Sequence, residues 1–226
     1  MVRRAAAEFL GTAFLLMAVV GSGIMAERLA SGNVALALLA NSVATGAALV
    51  ALILAFASVS GAHFNPAVTL ADALRGKMAW RDVPVYMAAQ FLGAFAGVAT
   101  AHLMFGLPVF FASHHARSGV ALATSEFVAT FGLLVVILEC SRSHSSSVAY
   151  AVGGYITAAY WFTSSTSFAN PAVTLARAAS DTFAGIRPSD APGFIVAQVV
   201  GAVAATFCFR WLTSTQLGDK ARKAHD

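Results

Sequence analysis

The heptapeptide NPAVTLA occurs twice in this chain, once from Asn65 and again, 105 positions later, from Asn170. Seven residues repeat without change, and the eighth is Asp72 in the first copy and Arg177 in the second. Asn followed by Pro and a run of apolar helix formers reads as a helix start, with Asn at the N-cap and Pro at the first helical position. The first helix is expected to stop near Gly76, after about nine residues, or roughly 14 Å at 1.5 Å per residue. The second starts at Asn170 and Pro171, with Gly185 as a late stop. Each helix is then about half of the ~30 Å hydrocarbon thickness of a bilayer. A chain containing two such units has few folds open to it.

The rest of the sequence says why a bilayer is the relevant frame. Of 226 residues, 58% are hydrophobic and 11% charged, against about a quarter charged in soluble domains. Too few polar residues are present to cover a globule of this size, so lipid is the expected solvent for most of the surface. Six stretches are long and apolar enough to span, at about 8–27, 34–59, 81–104, 120–140, 146–163 and 191–212. Residues 1–226 therefore read as a single transmembrane domain. The start, MVRRAAAEFLGTAFLL, has the look of a signal peptide, but the run is long enough to span and carries Glu8, so a retained first helix is expected. Cys140 and Cys208, isolated in apolar surroundings, read as small buried hydrophobes. With the N-terminus inside, ten of the 14 Lys and Arg residues fall on the cytoplasmic side, which predicts both termini in the cytoplasm. The net charge of +4 is thus a loop signal and not a nucleic-acid signal.

The heptapeptide is one of several paired landmarks. AEFLGTAFLL around Glu8 is echoed by SEFVATFGLL around Glu126, and AQFLGAFAG around Gln90 by AQVVGAVAA around Gln198. Three pairs in the same order indicate duplication, with repeats at about 5–105 and 118–212 and a polar tail, 213–226, expected to fray. Each half carries three spans, an odd number, so the second must enter the membrane from the opposite side. The two half-helices then meet at the midplane, N-terminus to N-terminus. Non-helical backbone at that depth is tolerated where it lines a watery cavity, so SGAHF and STSFA, before the two Asn-Pro-Ala units, should offer carbonyls to a pore.

Paired Asn-Pro-Ala motifs, the leading SGAHFNPAVTL, the early glutamates and the Ala-Gln helices together resemble the aquaporin and aquaglyceroporin family, over about residues 5–212. The resemblance implies an all-α membrane protein, an inverted repeat of six transmembrane helices plus two re-entrant half-helices. It further implies a homotetramer with one pore per subunit, and passive flow of water or small neutral solutes. Asn65, Pro66, Ala67, Asn170, Pro171 and Ala172 would form the pore centre, where amide donors and two positive helix ends orient permeating hydroxyls and repel cations. The asparagines are expected both to cap their helices and to face the pore. Glu8 and Glu126, costly in lipid, are expected to hold the re-entrant loops, a proton relay being the alternative. His63 is expected at the inner mouth, and Gln90 and Gln198 as packing and hydrogen-bonding residues. No cofactor, metal or nucleic acid is implied, and no enzymatic motif appears. The expected setting is a bacterial inner membrane.

The chain departs from the family at its outer constriction. The family's arginine, three places after the second motif asparagine, is replaced by Val173. The family's spacing puts Thr45, Ala158 and Ser167 at the other three positions. This small, uncharged filter should pass solutes larger than water. Thr174 stands where glycerol facilitators carry an Asp. A second motif followed by Val resembles the bacterial aquaglyceroporins associated with arsenic resistance, which implies arsenite-like triols, methylated arsenicals and glycerol as cargo. A water-selective channel is the alternative, and a secondary active transporter a more distant one. Arg177, one helical turn beyond Val173, is read either as the edge of the outer vestibule, with Asp72 its inner counterpart, or as a loop anchor or ion-pair partner.

Overall fold

The computed structural model describes the backbone of residues 1–223 and the side chains of residues 1–213. Its helices are α1 (Val2–Leu29), α2 (Val34–Ser60), α3 (Pro66–Leu74), α4 (Val83–Met104), α5 (Val120–Ser143), α6 (Val148–Phe162), α7 (Pro171–Arg177) and α8 (Ala191–Lys223). Among the described residues, α1, α2, α5, the 80–104 segment that contains α4, and the 191–213 part of α8 are long and apolar enough to cross a membrane. The sixth span, α6, has only 15 residues, or about 22 Å. It starts after a 3-10 turn at Ser145–Ser147 and stops where Thr163 becomes extended at the head of the second re-entrant loop.

The halves pack alike. Helix α1 lies on α2 and α4, α5 lies on α6 and α8, and α2 meets α6 across the pseudo-twofold axis. Short helices α3 and α7 are wedged against α4 and α8. Glycines set the closest crossings. A Cβ on Gly93 of α4 would stand 2.3 Å from the Phe9 carbonyl oxygen of α1, and one on Gly201 of α8 would stand 2.6 Å from that of Phe127 on α5. Both clashes are with backbone, so a larger residue must push the helices apart. Gly93→Val is expected to lower stability by about 3 kcal/mol, the upper range for overpacking, measured as the loss midpoint of monodisperse protein on heating in detergent.

Two boundaries differ from the sequence reading. Helix α3 ends at Leu74, with Gly76 following at φ +70°, but α7 ends at Arg177, well before Gly185. Chain 178–190 folds back instead and docks under the segment that links the halves. Phe111 N–H donates to Ala179 O, Ser113 N–H to Ala178 O, and Arg187 N–H to His115 O. The first two of those bonds take over carbonyls that a longer helix would have used. Helix α8 runs through Lys223, and residues 224–226 of the polar tail lie outside the described residues.

Asp181 ties this outer layer together by accepting from His114 N–H at 2.8 Å and contacting His114 Nδ1 at 2.9 Å. The His114 amide, and then its ring, hold the Asp181 carboxyl below the usual aspartate range. A depressed pKa contributes stability that is present above the ordinary carboxylate pKa and is lost as pH falls through the depressed one. Loop protection against hydrogen exchange around 111–115 should therefore decline in acid below about pH 4, and the decline should be absent in Asp181→Asn.

Candidate functional site

Each re-entrant loop is built by the same positions counted from its asparagine. Residues three and one before it adopt positive φ: Ala62 (51°) and Phe64 (50°) in the first loop, Ser167 (51°) and Ala169 (47°) in the second. Such backbone costs of order 1–3 kcal/mol per residue and persists only where the surroundings over-determine it. The surroundings here are two buried carboxylates. Glu8 Oε1 accepts from Ser60 Oγ (2.6 Å) and His63 N–H (3.0 Å), and its Oε2 accepts from Phe64 N–H (2.7 Å) and Gln90 Nε2 (2.8 Å). Glu126 accepts from Phe168 N–H (2.9 Å), Ala169 N–H (2.9 Å) and Gln198 Nε2 (2.6 Å). Each glutamine also donates to a threonine on its half-helix, Gln90 to Thr69 at 2.9 Å and Gln198 to Thr174 at 2.8 Å. Four donors thus converge on Glu8 and three on Glu126, and both carboxylates are spent mainly on holding the loops.

Asn65 and Asn170 face each other reciprocally. Asn65 Oδ1 caps α3 by accepting from Ala67 N–H at 2.9 Å, while its Nδ2 donates to Ala169 O at 2.7 Å. Asn170 Oδ1 accepts from Ala172 N–H (3.0 Å) and Val173 N–H (3.2 Å), while its Nδ2 donates to Phe64 O at 2.8 Å. Each half's asparagine thus fixes the carbonyl just before the other's. Each Nδ2 carries two protons, so one remains beyond the bond that is made. Pro66 and Pro171 occupy the first helical position of their half-helices, where a missing N–H costs nothing. Ala67 and Ala172 behind them are fully buried.

Both asparagines line a cavity of about 450 Å³. One end is walled by His63, Asp72, Arg75, Lys77 and Arg142, and the other by Thr45, Tyr160, Ser167, Val173 and Arg177. Between these ends the wall is apolar, from Leu49 and Ile53 of α2 and Val152 and Ile156 of α6. Polar groups at the waist and mouths, with apolar walls between, let a small hydrogen-bonding molecule find partners at intervals while no site holds it throughout.

Ala158 is a correction. Helix α6 turns Val152, Ile156 and Tyr160 toward the cavity, and at 100° per residue Ala158 lies on the far side. It is exposed on the outer face. Tyr160 stands there instead, with its hydroxyl 3.2 Å from Thr45 Oγ1. Counting back from Asn170 cannot find it, because the extended stretch after Phe162 shifts the helix register. The period-4 march of Val152, Ile156 and Tyr160 was the available signal.

The residues that distinguish the two halves are also paired in space. Seven places after each asparagine stand Asp72 and Arg177, and two places before it stand His63 and Phe168. In the first half His63 Nε2 lies 3.3 Å from Asp72 Oδ2, and Arg75 lies 3.4 Å from Asp72 Oδ1. In the second, the Arg177 guanidinium stacks on the Phe168 ring 3.3 Å from its centroid, and its Nε donates to Ala184 O. Arg117 covers the same ring at 5.2 Å and donates to Gly185 O and Ser165 O. Asp72 is therefore an ion-pair partner that also borders the cavity.

Six spans, two half-helices with abutting N-termini and one polar-waisted cavity define a membrane channel for small solutes. The chain belongs to the major intrinsic protein family, whose profile matches residues 1–145 and again 138–226. It is 56% identical over 210 residues to the aquaglyceroporin AqpS of Rhizobium meliloti (strain 1021), covering 93% of this chain and 90% of that protein. It is 35% identical to aquaporin NIP1-4 of Oryza sativa subsp. japonica, over 95% of this chain and 77% of the relative. Among solved structures, the aquaglyceroporin from Plasmodium falciparum matches with a TM-score of 0.72 at 25% identity, covering 91% of this chain and 93% of that one.

Proposed function

We propose that the cavity is a passive pore for small uncharged polyols and hydroxylated metalloids, glycerol-like solutes and arsenite-like triols or methylated arsenicals among them. The observation that carries this reading is Val173, a small apolar side chain on the cavity wall beside Thr45, Tyr160 and Ser167. Val173 neither narrows the passage nor occupies hydroxyl groups as an arginine would, so the neighbouring hydroxyls are left for a solute. The half-helix N-termini supply the barrier to cations at the waist. Kinship with a protein named aquaglyceroporin favours polyols over water alone. In this reading Asn65 and Asn170 centre the pore, Glu8 and Glu126 hold its loops, and Asp72 with His63 edges its inner vestibule. The protein works as a homotetramer, one pore per subunit, with both termini in the cytoplasm.

Uptake of arsenous acid into proteoliposomes tests the reading: accumulation should reach the external concentration and go no further, and empty-vesicle rates would sink it. In the same assay Arg177→Ala tests whether the arginine edges the pore. Solute flux should change by about threefold or more, since a charged pore-lining donor has been removed. Unchanged flux and selectivity would leave Arg177 as a loop anchor.

A further inference from the structure

Arg177 carries an obligatory charge in a buried setting, with 2% of its surface exposed. Among the described residues no carboxylate lies within ion-pair distance of it, and its terminal nitrogens make no hydrogen bond to any of them. A second guanidinium, that of Arg117, lies over the same phenyl ring and likewise has no side-chain counter-ion. The carboxylate of Glu126 accepts from the loop amides of Phe168 and Ala169 and from Gln198 of α8, and makes no ion pair with either arginine. The Ser167 hydroxyl, 3% exposed, lines the same cavity as Arg177 and has no hydrogen-bond partner among the described residues. A desolvated cation costs several kcal/mol unless paired, and a neutral polyol can fill the hydrogen bonds but not the charge.

From these positions we infer that the outer half of the pore holds a binding site for the monoanion of a small oxyacid, a carboxylate of formate size, paired with the terminal nitrogens of Arg177 and hydrogen-bonded by Ser167. The two terminal nitrogens of a guanidinium match the two oxygens of a carboxylate, and Val173 leaves the space that such an anion needs. Resting on the pore reading above, this makes the anion a competitor of neutral solutes: while bound, it occludes the passage at the outer constriction.

The test uses the full-length protein in proteoliposomes and measures glycerol flux with sodium formate or sodium gluconate equal on both sides. The buffer is held near pH 7.5, where carboxylic acids are ionised. Formate should inhibit in a dose-dependent way and gluconate, too large for the site, should not. In Arg177→Met the inhibition constant, taken relative to the variant's own flux, should weaken by at least about tenfold, as for truncation of one partner in a buried charge pair. Arg177→Lys should retain part of the inhibition. Calorimetric titration of formate into the detergent-solubilised wild type gives a readout independent of flux. Glycerol flux that is insensitive to formate, absent calorimetric binding, or equal inhibition by chloride would each overturn the oxyanion site and leave the channel reading standing. Loss of glycerol flux altogether would strike that reading, while calorimetry would still decide the anion site.

Discussion

Replacing Glu8 with alanine is expected to abolish folded protein rather than tune transport. Four donors converge on that carboxylate: Ser60, His63, Phe64 and Gln90. Two are backbone amides of a loop with positive φ at Ala62 and Phe64, and the carboxylate they share is fully buried. Each orphaned buried donor costs about 1–3 kcal/mol, so the loss is on the order of 4 kcal/mol or more, a large share of a typical net stability of 5–15 kcal/mol. The monodisperse peak in detergent should disappear, or melt far below wild type. Glu8→Gln, which keeps one acceptor oxygen, should fall between the two. The same series at Glu126 should behave alike, because the same positions of the second loop lean on it. A Glu8→Ala protein that is stable but shows altered proton leakage would favour a relay over a loop clamp.

Val173→Arg is expected to reduce glycerol flux by at least about tenfold while water flux falls much less, since a guanidinium at the constriction takes both space and hydroxyl partners. The new charge would stand one helical turn from Arg177, and like charges at i,i+4 repel. Val173→Met separates the effects, because it adds length without charge. If narrowing alone decides, Met should recover most of the arginine effect. If hydrogen-bond competition decides, it should not. Stopped-flow scattering with parallel water and glycerol gradients reads both variants. Glycerol flux untouched by Val173→Arg would remove the premise that the small residue at this position widens the passage.

Much of this architecture was legible because duplication writes it twice. An odd number of spans per half forces inversion, and Asn-Pro at the head of each short helix marks where the backbone must break. Helix starts were readable at Asn65 and Asn170 because capping is local chemistry. What the sequence concealed depends on tertiary register. Ala158 follows from a fixed count, but the chain after Phe162 is extended, so a count from Asn170 does not say which face of α6 turns inward, and Tyr160 lines the cavity instead. Gly185 looked like a helix stop, yet the carbonyls of Ala178 and Ala179 are claimed by Ser113 and Phe111 across the molecule, which no local pattern reveals. The partnerships of Asp72 with His63 and Arg177 with Phe168 lie in the same two columns of the repeat. A comparison of the halves column by column, beyond the identical heptapeptide, would have paired them.

The most direct test is the response of proteoliposomes to an inward glycerol gradient, followed by light scattering with and without a proton ionophore. The account predicts shrinkage followed by protein-dependent re-swelling, with a glycerol permeability that is constant as the gradient is raised and unaffected by the ionophore. Shrinkage without re-swelling would mean a water-selective channel, and saturable re-swelling abolished by the ionophore would mean a coupled transporter. Either result would contradict a passive pore for small neutral solutes.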